Sequence, residues 1–256
     1  MKSLAIYAIA IATTAFANSS DAPIAPTERK LKAAENYNQL SFGPTVFWQH
    51  FDEKHEATNT EAKSNGVFGG AALRYEYVRP DYFYSGTDAM FSAGQVDDES
   101  TIASVTTSKT KRTSLVANAE QRFGYSFAVD GPRSNFSPFV GIGWYYTRPF
   151  ANQDFSNDFV YATAGFKSKH DVTDTFALGV VGKALYSFYD RAHVAGKLTT
   201  TSWDDPKWGF EVDVPLTWHL NNAHSWDFTF EPYFQELDVS KNFMNAGGRL
   251  LASYNF

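Results

Sequence analysis

The chain has 256 residues, a formal net charge of -6 at pH 7 and no cysteine. That charge gives a nucleic-acid partner no electrostatic support. The missing cysteine removes disulfides, thiolate catalysis, Cys-ligated zinc and a lipid-modified cysteine. Aromatic content is 17%, with 23 Phe and 14 Tyr, and Gly and Pro are ordinary, which fits one large all-β domain or two small ones.

The N-terminus reads as an export signal over residues 1–17: Lys2 is the basic start, Leu4–Ala12 the apolar core, and Ala15-Phe16-Ala17 the small-x-small cleavage site. No later stretch approaches the roughly 18 apolar residues of a membrane helix. Residues 18–37 are polar, with Pro23 and Pro26, and read as a periplasmic leader, a loose plug or a short helix.

From Asn38 onward apolar and polar residues alternate, as on a two-faced strand. Strand one, Gln39–Phe51, sets Leu40, Phe42, Val46 and Trp48 against Gln39, Ser41, Thr45 and Gln49. Strand two, Gly66–Arg79, sets Val67, Leu73, Tyr75 and Tyr77 against Arg74 and Glu76. Pro80-Asp81 turns into strand three, Tyr82–Gly94, with Asp88 on its polar face. Strand four, Ser114–Val129, sets Leu115, Phe123, Tyr125 and Phe127 against Asn118, Glu120 and Arg122, and Gln121 breaks its oily row.

Asp130-Gly131-Pro132 is a turn signal. Strand five, Phe136–Thr147, aligns Val140, Ile142, Trp144 and Tyr146, and strand six, Phe159–Ser168, has the weakest pattern. Strand seven, Phe176–Tyr189, opposes Phe176, Leu178, Val180 and Phe188 to Lys183 and Ser187. The clearest stretch follows. Trp208, Phe210, Val212, Val214, Leu216 and Trp218 alternate with Glu211, Asp213 and His219, and Trp226, Phe228, Phe230 and Phe234 alternate with Asp227 and Glu231. Met244–Phe256 is the tenth strand.

Connections after odd strands are long and polar (52–65, 95–113, 148–158, 190–206, and a shorter 238–243). Those after even strands are short (80–81, 130–135, 170–175, 220–224). A membrane barrel sorts its loops by end in this way, and it carries aromatic girdles at both interfaces. Trp48, Trp144, Trp208, Trp218 and Trp226 read as such a lipid-facing belt. A lipocalin-type barrel would turn the same oily rows inward, where ten rows of Phe and Trp would overfill it.

The chain stops at Ser253-Tyr254-Asn255-Phe256, with Arg249 seven residues before the end. Phe256, Tyr254 and Arg249 resemble the assembly signal of bacterial outer-membrane barrels, although Leu251 stands where Gly is usual. The resemblance covers residues 38–256 and is to small OmpA-like or porin-like barrels. It implies a closed, antiparallel, up-and-down transmembrane β-barrel of ten strands, with eight as the runner-up, at the cell surface in the outer membrane. Its implied partners are outer-membrane lipid and, through the last strand, the barrel-assembly machinery.

With the oily face outward, the lumen receives Arg74, Glu76, Asp88, Glu120, Arg122, Lys183, Glu211, Asp213, Asp227, Glu231 and Arg249. Strand order makes neighbours of Lys183 and the Glu211/Asp213 strand, of Arg249 and the Asp227/Glu231 strand, and of Asp88 with both Arg74 and Arg122. Two uses remain open: a salt-bridged filling or a path for a small solute or ion. Ten strands also resembles the omptin surface proteases in size, but Asp52 with His55, Asp190 with His193, and Asp204-Asp205 lack their Asp-x-His spacing. His224-Ser225 lies in a turn at the wrong end for a lipid-A deacylase barrel. His50, Asp52 and His55 read as solvated loop, and neither a metal nor a cofactor is expected. The polar stretches 100–114 and 197–203 leave an adhesin-type role open, toward a host or surface ligand.

Overall fold

Twelve strand segments follow one another: β1 (Tyr37–His55), β2 (Thr60–Val78), β3 (Tyr82–Ile102), β4 (Val105–Ala128), β5 (Ser134–Pro149), β6 (Ser156–Thr173), β7 (Phe176–Val194), β8 (Lys197–Ser202), β9 (Lys207–Asp213), β10 (Leu216–His219), β11 (Trp226–Val239) and β12 (Lys241–Asn255). The computed structural model describes residues 37–55, 60–79, 81–102, 105–129, 133–149, 156–194, 197–202, 207–220, 225–239 and 241–256. The expected signal (1–17) and all of the leader but Tyr37 lie outside the described residues, as do Asp204, Asp205 and His224.

From β1 to β8 each strand pairs antiparallel with the next, β9 and β10 join β7 to β11, β11 pairs with β12, and β12 pairs with β1, so the sheet closes. Segments β8, β9 and β10 all pair with β7 and form one stave, giving ten staves in all. That stave is interrupted at Val214-Pro215, because proline has no N–H to give to the ladder. Backbone bonds hold it there: Gly179 N donates to Pro215 O at 2.8 Å, and Val214 N to Pro232 O at 3.0 Å. Gly179 is required at this point, since a Cβ on it would lie 2.7 Å from Pro215 Cγ. At the closing seam Phe256 N donates to Asn38 O at 2.9 Å, and Asn38 N to Phe256 O at 3.3 Å. Through the apolar band the described strands pair on both sides, as lipid requires, and β8, beyond that band, pairs with β7 alone.

The alternation decides the two faces. Phe42, Val46, Val67, Phe91, Val140, Ile142 and Trp208 are exposed, whereas Glu76, Glu120, Arg122, Asp213 and Glu231 are buried. An exterior this apolar matches lipid, not water. Of the belt residues, Trp48, Trp208, Trp218 and Trp226 are exposed, and Trp144 is half-covered by its stacking on Tyr146. Tyr254 packs on Trp226 and stacks with Phe256 at the opposite rim.

The strands are much longer than their apolar rows. On β4 the outward apolar row runs from Leu115 to Phe127, yet the strand has 24 residues. A strand of that length tilted near 45° spans about 55 Å along the normal, against a hydrocarbon core of about 30 Å. The excess is at the end away from Tyr37 and Phe256. The polar stretch 95–113, expected as a loop, is therefore mostly strand: Asp97 faces Lys111 at 3.5 Å, Glu99 faces Lys109 at 3.2 Å, and Arg112 Nε meets Asp98 at 2.5 Å. Likewise 197–202 is strand β8 rather than loop. Above the membrane neither face needs to be oily, so pairing continues where the hydrophobic signal ends.

Candidate functional site

The lumen is filled in three layers. On the side of the barrel toward Phe256, Val78, Tyr84, Phe139 and Val181 form a small apolar cluster. Tyr84 Oη donates to Glu76 Oε1 at 3.3 Å, and the Arg122 guanidinium lies 5.3 Å from the Phe139 ring centre.

The middle layer holds the charges. Arg74, on β2, reaches across β1 and β12 to Glu231 on β11 with both terminal nitrogens, at 2.6 and 2.9 Å. Its Nε meets Asp88 Oδ1 at 2.5 Å, and the other Asp88 oxygen takes Arg122. Lys183 bridges Glu120 at 3.1 Å and Glu211 at 2.8 Å. Arg249 Nη1 donates to Glu231 Oε1 at 2.5 Å and lies 3.7 Å from Asp213, with its guanidinium 4.2 Å from the Tyr233 ring centre. Glu120 Oε2 and Asp213 Oδ1 accept no hydrogen bond among the described residues.

Two lumenal carboxylates find partners that the sequence reading did not give them. Asp227 lies apart from Glu211, Asp213 and Glu231. It lies near the inner rim, where His219 Nδ1 is 2.7 Å from its Oδ1 and Asn255 and Gln39 donate to its Oδ2 at 2.9 and 3.3 Å. The cause is register: Asp227 pairs with His219 and Ser253, two turns of the pleat below Glu231. Glu76 takes its cation from Lys167, on the strand with the weakest pattern. Lys167 was legible in principle, since Thr163, Lys167 and Asp171 share one parity and Ala162, Ala164 and Phe166 the other.

The outer layer is aromatic and was missed by the sequence reading. Phe47, Phe68, Val96, Val116, Tyr145, Phe159, Tyr161, Leu185, Tyr233, Leu237 and Phe243 form one buried cluster fed by nine of the ten staves. Phe47 stacks on Phe68 at 5.2 Å, and Tyr145 on Phe159 at 5.0 Å, with Phe243 edge-on to Tyr145 at 5.1 Å. Gly143 makes room for Tyr161, whose ring would be 2.2 Å from a Cβ there, and Asn118 Nδ2 donates to the Tyr161 hydroxyl at 3.1 Å. A polar chain joins the two upper layers: Gln49 donates to Tyr145 Oη at 2.7 Å, Asn245 to Gln235 at 2.9 Å, and Gln235 to Glu211 at 3.0 Å.

Among the described residues, two of the spaces left in the lumen measure about 30 Å³ each, one beside Arg74, Glu76 and Lys167, the other beside Glu120, Lys183, Glu211 and Arg249. Each has room for about one water. Of the rim residues weighed for catalysis, Asp52 is half-buried, and His50 stacks on Trp48 with its Nδ1 2.6 Å from Asn65 Oδ1. The side chains of His55, Asp190 and His193 lie outside the described residues.

A closed ten-stave antiparallel barrel with an oily exterior and a polar, packed interior is the fold of the bacterial outer-membrane β-barrels. Among solved structures, the chain is similar to the outer-membrane protease OmpT from Escherichia coli, with a TM-score of 0.53 at 9% identity over 91% of this chain and 100% of that one. It is also similar to the transport unit of the autotransporter AIDA-I from Escherichia coli (TM-score 0.43, 10% identity, 96% and 97% covered). A third is Ail, the attachment invasion locus protein of Yersinia pestis (TM-score 0.38, 11% identity, 87% and 99% covered). No protein-family model matches the chain, and no curated protein matches it. At these identities the likeness concerns the fold, and OmpT's activity does not follow from it.

Proposed function

We propose that this chain is a filled outer-membrane pillar whose work is done at the cell surface by the outward strand extensions, and not by passage of a solute through the lumen. The observation that carries this reading is the packed interior. A charge network and an aromatic layer lie one above the other, and the two spaces described between these side chains hold about one water each. A permeation path would need both layers to open, breaking salt bridges at buried sites where an uncompensated charge costs several kcal/mol.

The long β3–β4 extension supports the second half of the reading. It is rigidified by charged cross-strand pairs facing water, which gives a firm, polar platform of the kind on which recognition residues sit. The C-terminal strand, ending in Tyr254 and Phe256, supports delivery by the barrel-assembly machinery.

Planar-bilayer recording tests the first half: the folded protein gives no discrete conductance steps, and regular steps from the wild-type chain would overturn the reading. For the second half, the segment 95–113 is replaced by a tight turn. Cells carrying the trimmed barrel then lose attachment to surfaces that cells with the full chain bind. Equal attachment by both would exclude this extension as the platform.

A further inference from the structure

Gln121 is the residue that breaks the oily row of β4, and neither the lumen nor the outer extensions use it. It faces lipid, midway between Leu115 and Phe127, the two ends of that row. It is not alone. Thr87, its partner in register on β3, donates to Gln121 Oε1 at 2.5 Å, and Gln121 Nε2 donates to Ser85 Oγ at 3.1 Å and to the Arg122 carbonyl at 3.2 Å. Ser168 and His170 on β6 also face outward, five and three residues from the inner end of that strand, whereas Gln121 is seven residues from the inner end of β4.

Within the patch the hydrogen bonding is incomplete. Ser85 accepts from Gln121, but its own hydroxyl hydrogen has no acceptor among the described residues, and Gln121 Oε1 keeps a second lone pair. Hydrocarbon offers neither donors nor acceptors to complete the set. The relief around the patch is low, with Ala89, Ala117 and Ala119 beside it and the exposed rings of Phe83, Phe91 and Phe123 as its margins. Small residues that permit close approach, with polar groups as glue, mark protein contacts within membranes.

We infer that the β3–β4 wall, centred on Ser85, Thr87 and Gln121, is the contact surface for a second copy of this chain. Depth selects the occupant. A partner must present polar groups in the middle of the bilayer, and a second copy inserted in the same sense does so at the same height. A two-fold axis along the membrane normal makes the contact self-complementary, because one patch holds both the spare donor (Ser85) and the spare acceptor (Gln121). An acyl chain has no group to offer at this depth.

The absence of cysteine makes the test clean. A single cysteine is placed beside the patch (Ala119→Cys) or on the opposite wall (Val212→Cys), and full-length protein in native outer membranes is treated with a short thiol-to-thiol cross-linker. Heat-dependent gel mobility confirms that each variant is folded. The expected result is a product of twice the monomer mass for Ala119→Cys and none for Val212→Cys. Adding Gln121→Leu and Ser85→Ala to the first variant lowers that product at least several-fold. A monomeric Ala119→Cys protein, a product containing some other protein, or a dimer unaffected by loss of Gln121 and Ser85 would each overturn the proposal.

Discussion

Arg74 holds Glu231 with two nitrogens across 157 residues of chain, at 2.6 and 2.9 Å. The contact ties β2 to β11 over the seam where β1 meets β12, so the ring is cross-braced where the first and last strands join. Glu231 is fully buried and also accepts from Arg249. Glu231→Ala thus strands two guanidinium groups, and a loss of about 3–5 kcal/mol is expected. Urea unfolding of the detergent-folded barrel measures it. Replacing Arg74 and Glu231 together by apolar residues of similar size is expected to cost less than Glu231→Ala alone, because Arg74 is then not left buried without this carboxylate, while Arg249 keeps Asp213 and Asp88 keeps Arg122.

Lys183 holds two carboxylates, Glu120 and Glu211, on opposite sides of the lumen. Lys183→Met leaves both to share Arg122 and the more distant Arg249, at 3.4 and 3.8 Å. The expected loss is again about 3–5 kcal/mol. Glu120→Gln in the Lys183→Met background recovers part of it, read as a partial return of the unfolding midpoint.

The aromatic layer closes the barrel even where the charge layer is weakened. Conductance is therefore expected to stay absent in Lys183→Met alone. It appears only when Phe47, Tyr145 and Phe243 are also replaced by alanine, as brief steps in planar bilayers. The single change Phe47→Ala is expected to cost about 3–5 kcal/mol in stability, as for other large aromatic deletions from packed interiors.

Gly143 and Tyr161 fit as notch and ring. Gly143→Ala drives a methyl into a ring buried among its neighbours, and overpacking of this kind costs about 1–3 kcal/mol. In a Tyr161→Ala background the same change is expected to be close to neutral. A double-mutant cycle on unfolding midpoints gives the coupling.

On the outer extension, Asp97→Lys places like charges directly opposite at Lys111. Exposed pairs of this sort contribute about 0.2–1 kcal/mol. The barrel keeps its heat-dependent gel mobility, whereas hydrogen exchange at 95–102 and 105–113 quickens.

How much of this was legible varied with depth in the membrane. Within the hydrocarbon band, the alternation of Trp208, Phe210 and Val212 with Glu211 and Asp213 determined strand, face and lumen content together, because a period of two leaves a side chain only two directions. Beyond the band, both faces of β3 and β4 meet polar surroundings, and the extension from Gln95 to Thr113 read as loop. Gln121 was visible as an anomaly but not as one member of a cluster, since its partners Ser85 and Thr87 come from a neighbouring strand.

The sequence by itself determined a closed barrel, with ten staves favoured over eight, the oily exterior, the lumenal side of each charge on a clearly patterned strand, and the nearest-neighbour pairs such as Lys183 with Glu211. Only the tertiary structure decided the height of each residue in the lumen. Height depends on register, and register depends on backbone pairing around the whole ring, which no single strand encodes. It moved Asp227 down to His219, set Lys167 against Glu76, carried Arg74 across the seam to Glu231, and stacked Phe47, Tyr145 and Phe243 into the layer that closes the barrel.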